Sequence, residues 1–337
     1  MAAGNQAAST PVSTLELFVR QIRYEGRNIQ SYELVDPDGG ELPPFTAGAH
    51  IDVHLANGIV RQYSLCNSPA ERQRYVIAVL RDERGRGGSK ALHEQLQVQG
   101  RVRVSWPRNN FELAGEARRV ILLAGGIGVT PLKAMAHQLQ ASGKDHELHY
   151  CARDTGAAAF GAELRELLGE GRLHLHFDHG DPSKGLDIAR MLGEAAEGTH
   201  VYYCGPAGFM NACAQATAHW PKGAVHCEHF KAPERPAVPG ADASGANAAL
   251  SGGFLIEIAS SGQRLTVPPD RSIADVLRTA DIGIETSCEA GLCATCKVRY
   301  LAGEVDHHDC ILGEEDQENF LTVCVSRAKN GLLVLDL

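Results

Sequence analysis

Residues 288–296 read Cys288-Glu289-Ala290-Gly291-Leu292-Cys293-Ala294-Thr295-Cys296. Three thiolates spaced C-x4-C-x2-C on one loop can converge on iron without a long chain excursion, and with a distant fourth cysteine this is the plant-type [2Fe–2S] pattern. Two later cysteines compete for the fourth place. Cys310 sits in the polar stretch DHHDCILGEED (306–316), whereas Cys324 lies inside the apolar run Leu321 to Val325. A plant-type cluster needs its last ligand on a separate, buried element, which favours Cys324. A structural zinc site would bring two short C-x2-C pairs and no x4 gap. A Rieske centre would need histidines alternating with cysteines in paired motifs, which His307 and His308 do not supply, so these two read as solvent-exposed loop residues.

Working outward, five of the ten cysteines crowd into the last fifty residues and the other five (Cys66, Cys151, Cys204, Cys213, Cys227) are scattered. The N-terminus, MAAGNQAASTPVST, has neither a basic n-region nor an apolar h-region. Cysteines in such a chain read as metal ligands and core residues of a reduced, cytoplasmic protein rather than as a disulfide framework. No apolar run approaches the roughly 18 residues of a membrane span. The chain carries 32 Lys plus Arg against 41 Asp plus Glu, a net charge of −9. No Lys/Arg-rich block is present to neutralise a phosphate backbone, which argues against nucleic acid. From Phe254 onward there are 14 acidic and 7 basic residues, so −7 of the −9 belongs to the C-terminal piece.

That piece is set off by composition. Between Lys231 and Gly253, 17 of 23 residues are Ala, Pro, Gly, Ser or Asn, which predicts an extended linker. Before it, residues up to about 113 alternate in strand fashion (Leu15–Ile22, Ser31–Val35, His50–Leu55, Val60–Leu65, Tyr75–Leu80, Val102–Trp106), with turn signals such as Asp38-Gly39-Gly40 and Asn57-Gly58 and one helical stretch, Ser89–Leu96. This predicts a small antiparallel β-barrel. From Arg119, strands (Val120–Ala124, Glu147–Ala152, Leu173–Asp178) alternate with helices (Pro131–Gln140, Gly161–Leu168), which predicts an α/β domain with a parallel sheet. The expected organisation is 12–113, 114–230, a linker at 231–253, and 254–337.

Three further motifs carry chemistry. Gly125-Gly126-Ile127-Gly128-Val129-Thr130-Pro131 follows an apolar strand and opens a helix, where backbone N–H groups and the positive helix end can approach a pyrophosphate. A second strand end, Val201-Tyr202-Tyr203-Cys204-Gly205-Pro206-Ala207-Gly208, leads into another helix; together the two imply a dinucleotide. Arg61-Gln62-Tyr63-Ser64-Leu65-Cys66-Asn67 ends a barrel strand with a planar phosphate donor, an aromatic face and a hydroxyl. Some twenty residues on, Arg86-Gly87-Gly88-Ser89 precedes a helical stretch and can hold a phosphate on its N–H groups.

Taken in order, RQYSLCN, RGRGGS, LLAGGIGVTP, YCGPAGFM, CEHF and CEAGLCATC, with Cys324 in VCVSRAKN, resemble the phthalate dioxygenase reductase family. This is a branch of the ferredoxin-NADP reductase-like flavoproteins that includes the vanillate O-demethylase reductases. The resemblance runs from about Leu15 to Leu337 and implies three domains binding FMN, NADH and a [2Fe–2S] cluster, the last an α+β, β-grasp-like ferredoxin domain. It implies that Arg61, Tyr63 and Ser64 form the flavin-binding strand, Gly87, Gly88 and Ser89 the FMN phosphate loop, and Phe230 the aromatic beside the isoalloxazine. Gly125, Gly126, Gly128 and Thr130 then face the NADH pyrophosphate and nicotinamide, with Cys204, Gly205 and Pro206 near the nicotinamide. Arg153 and Asp154 follow the second strand of the nucleotide domain, where the adenine ribose is read. Asp154 would oppose a 2′-phosphate by like charge, while the arginine beside it leaves strict NADH preference open. The effect of Glu228-His229 on the flavin is open. Cys288, Cys293, Cys296 and Cys324 are the implied metal ligands.

Electron counting orders the cofactors. A nicotinamide gives up two electrons as hydride, a [2Fe–2S] cluster takes one, and a flavin between them can hold the second. Cys204 and Thr130 would position the nicotinamide, and no general acid or base is required. The expected function is the reductase component of a Rieske-type aromatic-ring oxygenase or O-demethylase, a monomer that delivers electrons singly to its partner. The alternatives are a stand-alone flavin reductase and a cofactor-binding redox sensor.

Overall fold

The computed structural model describes residues 13–56, 58–85, 87–221, 223–231, 253–329 and 331–337. Apart from Lys231 and Gly253, the expected linker lies outside the described residues, as do Asn57 and Arg86. The chain divides into two compact units, one spanning Ser13–Phe230 and the other containing Lys231–Leu337.

The first unit begins with β1 (Thr14–Gly26), β2 (Ile29–Val35), β3 (His50–His54), β4 (Val60–Ser64), β5 (Tyr75–Leu80), α1 (Gly88–Gln95) and β6 (Arg101–Ser105). The strands form an antiparallel sheet in the order β4-β3-β6-β1-β2-β5. Its two end strands meet through a bridge between Leu65 and Ile77 and a 2.9 Å hydrogen bond from Cys66 N to Val76 O, which closes the sheet into a barrel. The alternation seen in the sequence places Leu17, Val19, Ile51, Val53, Ile77, Val79, Val102 and Val104 inside it.

The same unit continues with β7 (Arg119–Gly125), α2 (Val129–Ser142), β8 (Asp145–Ala152), α3 (Gly161–Leu168), β9 (Leu173–Phe177), α4 (Ile188–Met191), β10 (Thr199–Cys204), α5 (Ala207–Ala216) and β11 (Val225–Glu228). Its sheet is parallel throughout, in the order β11-β10-β7-β8-β9. β7 is apolar on both faces because both are covered: Val120, Leu122 and Ala124 join α2 and α3 residues in one core, while Ile121 and Leu123 join Leu192, Met210 and Trp220 in another. The sequence marked a boundary near residue 113, but one core also takes in Ile29, Ala47, Cys66, Ala78 and Phe111 from the barrel portion. Buried Lys133 on α2 reinforces that junction, donating to Cys66 O at 3.0 Å and pairing with Glu163 at 3.1 Å.

The second unit contains β12 (Phe254–Ile258), β13 (Arg264–Val267), α6 (Ile273–Thr279), β14 (Lys297–Ala302), β15 (Val305–Asp306), α7 (Glu314–Gln317), β16 (Phe320–Thr322), β17 (Arg327–Ala328) and β18 (Leu332–Leu335). A mixed sheet runs β13-β12-β18-β14-β16, with β12 and β18 parallel, and β15 pairs with β17. α6 starts at a capping box in which Ser272 and Asp275 satisfy each other's backbone N–H. It buries Ile273, Ala274, Val276 and Leu277 in the same core as Ile256, Val298, Leu333 and Leu335. Among the described residues no helix is long and apolar enough to cross a membrane.

Candidate functional site

In the second unit the four cysteines singled out from spacing come together. Cys296 Sγ lies 3.1 Å from Cys324 Sγ, and Cys288 is hydrogen-bonded both to Cys293 and to Cys324. Cys293, Cys296 and Cys324 are buried, whereas Cys310 is exposed. The loop manages the convergence by turning through three left-handed residues, Glu289 (φ 49°), Gly291 (φ 71°) and Ala294 (φ 56°). At Gly291 a Cβ would come within 2.9 Å of Asp309 Cα, so the two loop segments can close only over a glycine. The winding also aims backbone at sulfur: Ala290 N and Leu292 N donate to Cys288 Sγ at 3.4 and 3.3 Å. Hydrogen bonding to Cys288 and burial push the Cys293 thiol up. A set of four soft, converging sulfurs with N–H donors aimed at one of them fits an iron–sulfur cluster and offers no oxygen or imidazole ligand. His307 and His308 are half-buried rather than exposed, because His308 Nε2 pairs with Asp306 at 2.6 Å and His307 lies against buried Asp309.

In the first unit the strand order reverses between β7 and β10, the place where an open parallel sheet leaves a crevice at its carboxyl edge. Both glycine-rich strand ends open there. Cys204 pairs with Ala124, and Gly128 sits so close to the end of β10 that a Cβ would lie 2.2 Å from Cys204 O. Gly125 packs against Pro206 and Phe209, and Gly126 turns with φ 54° beside open space. Thr130 is buried and its Oγ1 donates to Ile127 O at 3.1 Å, so its hydroxyl shapes the turn at the start of α2. Cys204 is fully buried; that burial, with Glu228 and Cys227 nearby, drives its thiol well above the ordinary range. Arg153 lies against Gly180 in the loop after β9. Asp154 caps the turn Thr155–Ala157 and is gripped by Arg27 at 3.1 and 3.2 Å, a partner that the sequence did not suggest.

The barrel supplies the third part. Arg61 on β4 packs over the Gly87-Gly88 turn, where a Cβ on Gly88 would meet Arg61 Nε at 2.4 Å and Gly87 has φ 81°. Those glycines open the N-terminus of α1, next to a guanidinium, a donor set suited to a phosphate. Ser89 Oγ accepts from Asp82 N at 3.0 Å. The Tyr63 ring packs in part against the barrel core, and burial raises its hydroxyl to about 12. Ser64 Oγ donates to Glu228 Oε2 at 3.3 Å, linking β4 to the end of β11, two residues before the exposed ring of Phe230. Burial lifts the Glu228 carboxyl to about 8. Sequence reading noted Glu228 without a role; its neighbour in CEHF was the only signal, since Ser64 lies 164 residues away.

Comparison with known proteins matches residues 122–215 to the oxidoreductase NAD-binding domain family and residues 256–329 to the 2Fe-2S iron-sulfur cluster binding domain family. The chain is 55% identical to the tert-butanol monooxygenase / tert-amyl alcohol desaturase reductase subunit of Aquincola tertiaricarbonis, over 97% of each chain. It is 44% identical to the vanillate O-demethylase oxidoreductase of Pseudomonas sp. (strain HR199 / DSM 7063), over 96% of this chain and all of that one. Among solved structures it resembles phthalate dioxygenase reductase, described as a modular structure for electron transfer from pyridine nucleotides to [2Fe-2S]. The TM-score is 0.72 and the identity 42%, over 96% of this chain and 98% of that one.

Proposed function

Because the chain belongs to the phthalate dioxygenase reductase family, and is therefore an electron-transfer oxidoreductase using NADH, FMN and a [2Fe–2S] cluster, we propose that it is the reductase component of a Rieske-type oxygenase or O-demethylase. When bound, those three groups together turn the two electrons of a hydride into electrons delivered one at a time.

The chain's own residues then have separate tasks. Gly126 and Gly128 bring the backbone at the start of α2 close to a pyrophosphate, and Cys204-Gly205-Pro206 with Thr130 shape the floor on which a nicotinamide rests. Arg61 and Gly87-Gly88-Ser89 hold the flavin phosphate, Tyr63 and Ser64 line the flavin strand, and Phe230 flanks the ring. Arg153 and Asp154 read the adenine ribose, Asp154 by opposing a 2′-phosphate while Arg27 keeps it ionised and in place. Cys288, Cys293, Cys296 and Cys324 hold the cluster, and the N–H groups of Ala290 and Leu292 draw charge from the Cys288 sulfur.

The observation that carries the reading is the meeting of Cys296 and Cys324 at 3.1 Å across 28 residues, in a chain that also presents the glycine-lined crevice of β7 and β10. Ten cysteines, none of them in a disulfide, suit a reducing, cytoplasmic setting, and the chain acts as a monomer whose acidic C-terminal unit docks on a locally basic partner surface. The test mixes the purified reductase with a purified Rieske oxygenase under anaerobic NADH and follows the Rieske centre by EPR. One-electron reduction that disappears with Cys324→Ser supports the assignment. Reduction of free flavin with no reduction of any Rieske centre tried would overturn it.

A further inference from the structure

β8 and β9 carry two short alternating runs, His146-Glu147-Leu148-His149-Tyr150 and Leu173-His174-Leu175-His176-Phe177, in a part of the molecule that the electron path does not use. Leu148 and Tyr150 are buried in the core, with Leu173, Leu175 and Phe177 packed in or against it, so Glu147, His149, His174 and His176 fall together on the opposite face. His149 stands directly beside His174 in the strand register. Their rings stack at 4.6 Å, and His149 stacks on His176 at 5.3 Å.

The distances decide what these groups are arranged for. Glu147 Oε2 is 3.6 Å from His149 Nε2 and 3.7 Å from His174 Nε2, both too long for hydrogen bonds. The three donor atoms all lie within 4.8 Å of one another. Ligands about 2.0–2.1 Å from a tetrahedral ion stand about 3.3 Å apart, so small rotations about the side-chain torsions bring the three onto one ion. His149 Nε2 is buried without a hydrogen-bond partner, a cost that is left standing unless something else uses its lone pair.

The surroundings prepare that lone pair. His149 Nδ1 lies 3.1 Å from His176 Nε2, so a proton on His149 Nδ1 leaves Nε2 free to ligate, the usual second contact of a metal-bound histidine. Glu147 Oε1 is held by Arg119 at 2.9 Å, which turns Oε2 toward the imidazoles.

We propose that Glu147, His149 and His174 form a binding site for a divalent transition cation of the zinc class, with His176 as the positioning residue for His149. The N2O donor set suits zinc, nickel or copper and disfavours calcium or magnesium, which want oxygen ligands. Three protein ligands leave a fourth position for water. Because β9 is the edge strand of its sheet, an ion held between β8 and β9 clips that edge in place.

The test uses the flavin- and cluster-loaded full chain in a Cys227→Ser, Cys310→Ser background, since both thiols are exposed and would compete for zinc. Anaerobic titration with ZnCl2 against a chromophoric chelator should find one zinc per chain that raises Tm. His174→Ala should abolish that binding, and His176→Ala should weaken it about 10- to 100-fold, both with flavin reduction by NADH unchanged. Equal stoichiometry and affinity in His174→Ala would overturn the site. X-ray absorption at the zinc edge of the same Cys227→Ser, Cys310→Ser chain at one equivalent, with all the histidines in place, decides independently of the histidine variants: two imidazoles and light oxygen scatterers support it, and a sulfur shell overturns it.

Discussion

The packing of Gly128 against β10 makes a quantitative prediction for Gly128→Ala. The new Cβ would lie 2.2 Å from Cys204 O, 2.4 Å from its carbonyl carbon and 2.7 Å from Gly205 N, all of them backbone atoms in the crevice. An ordinary carbon–oxygen approach is about 3.3 Å, so the start of α2 and the end of β10 must separate by roughly 1 Å. Overpacking of this kind costs about 1–3 kcal/mol of stability, and a 1 Å misplacement of reacting groups costs on the order of 100-fold in rate. Gly126→Ala is the internal comparison, because its Cβ meets nothing within 4 Å and only the φ of 54° resists it, for roughly 1–2 kcal/mol. Gly125→Ala falls between, since its contacts with side-chain atoms of Pro206 and Phe209, at 2.9 and 3.0 Å, are longer than those of Gly128 with backbone. The assay is anaerobic stopped-flow reduction of the flavin by NADH, with flavin and iron content measured first. The expected order of damage is Gly128→Ala, then Gly125→Ala, then Gly126→Ala. A Gly128→Ala protein that folds, keeps its cofactors and is reduced within threefold of the parent rate would refute the idea that this contact sets the nucleotide's position.

Three further outcomes are expected. Cys324→Ser should lose the cluster's iron while Cys310→Ser keeps it, measured as iron per chain and by EPR after reduction, because Cys324 is buried among the other three thiols and Cys310 is exposed. Glu228 has a folded-state value of about 8 against an ordinary 4.5, so its protonated form stabilises the fold fully below pH 4.5 and that contribution is lost as pH rises toward 8. Glu228→Gln should therefore flatten the fall in Tm between pH 5 and 8.5, and an unchanged slope would remove Glu228 from the account. Asp154→Ala should raise the ratio of NADPH to NADH reduction rates by tenfold or more, read in the same stopped-flow assay, and Arg27→Ala should move it less.

The parts of this molecule legible in its sequence are those written locally. Strand alternation marked β1 to β6 to within a few residues, because a period of two reports a barrel or sheet surface without knowledge of the partner strand, while β7 showed as a short apolar run. The loop Cys288–Cys296 was readable because three of its thiols sit on one short segment. The contacts that stayed hidden join distant segments through single side chains. Arg27 reaches Asp154 across 127 residues, Ser64 reaches Glu228 across 164, and His149 meets His176 across 27. Nothing in the sequence set Lys133 apart within Pro131–Gln140. It is buried with Nζ on Cys66 O and 4.8 Å from the Phe160 ring centroid, and so ties residues on the two sides of position 113 together within the unit Ser13–Phe230.

The C-terminal core draws every one of its residues from Phe254 onward, and the cores of Ser13–Phe230 draw none from that stretch. Failure is thereby partitioned. Oxidative destruction of the thiol-rich loop would melt one folding unit while the nucleotide crevice stays assembled, and thermal scans should show two separable transitions rather than one. On the electron path proposed above, such a chain would go on consuming NADH and deliver nothing.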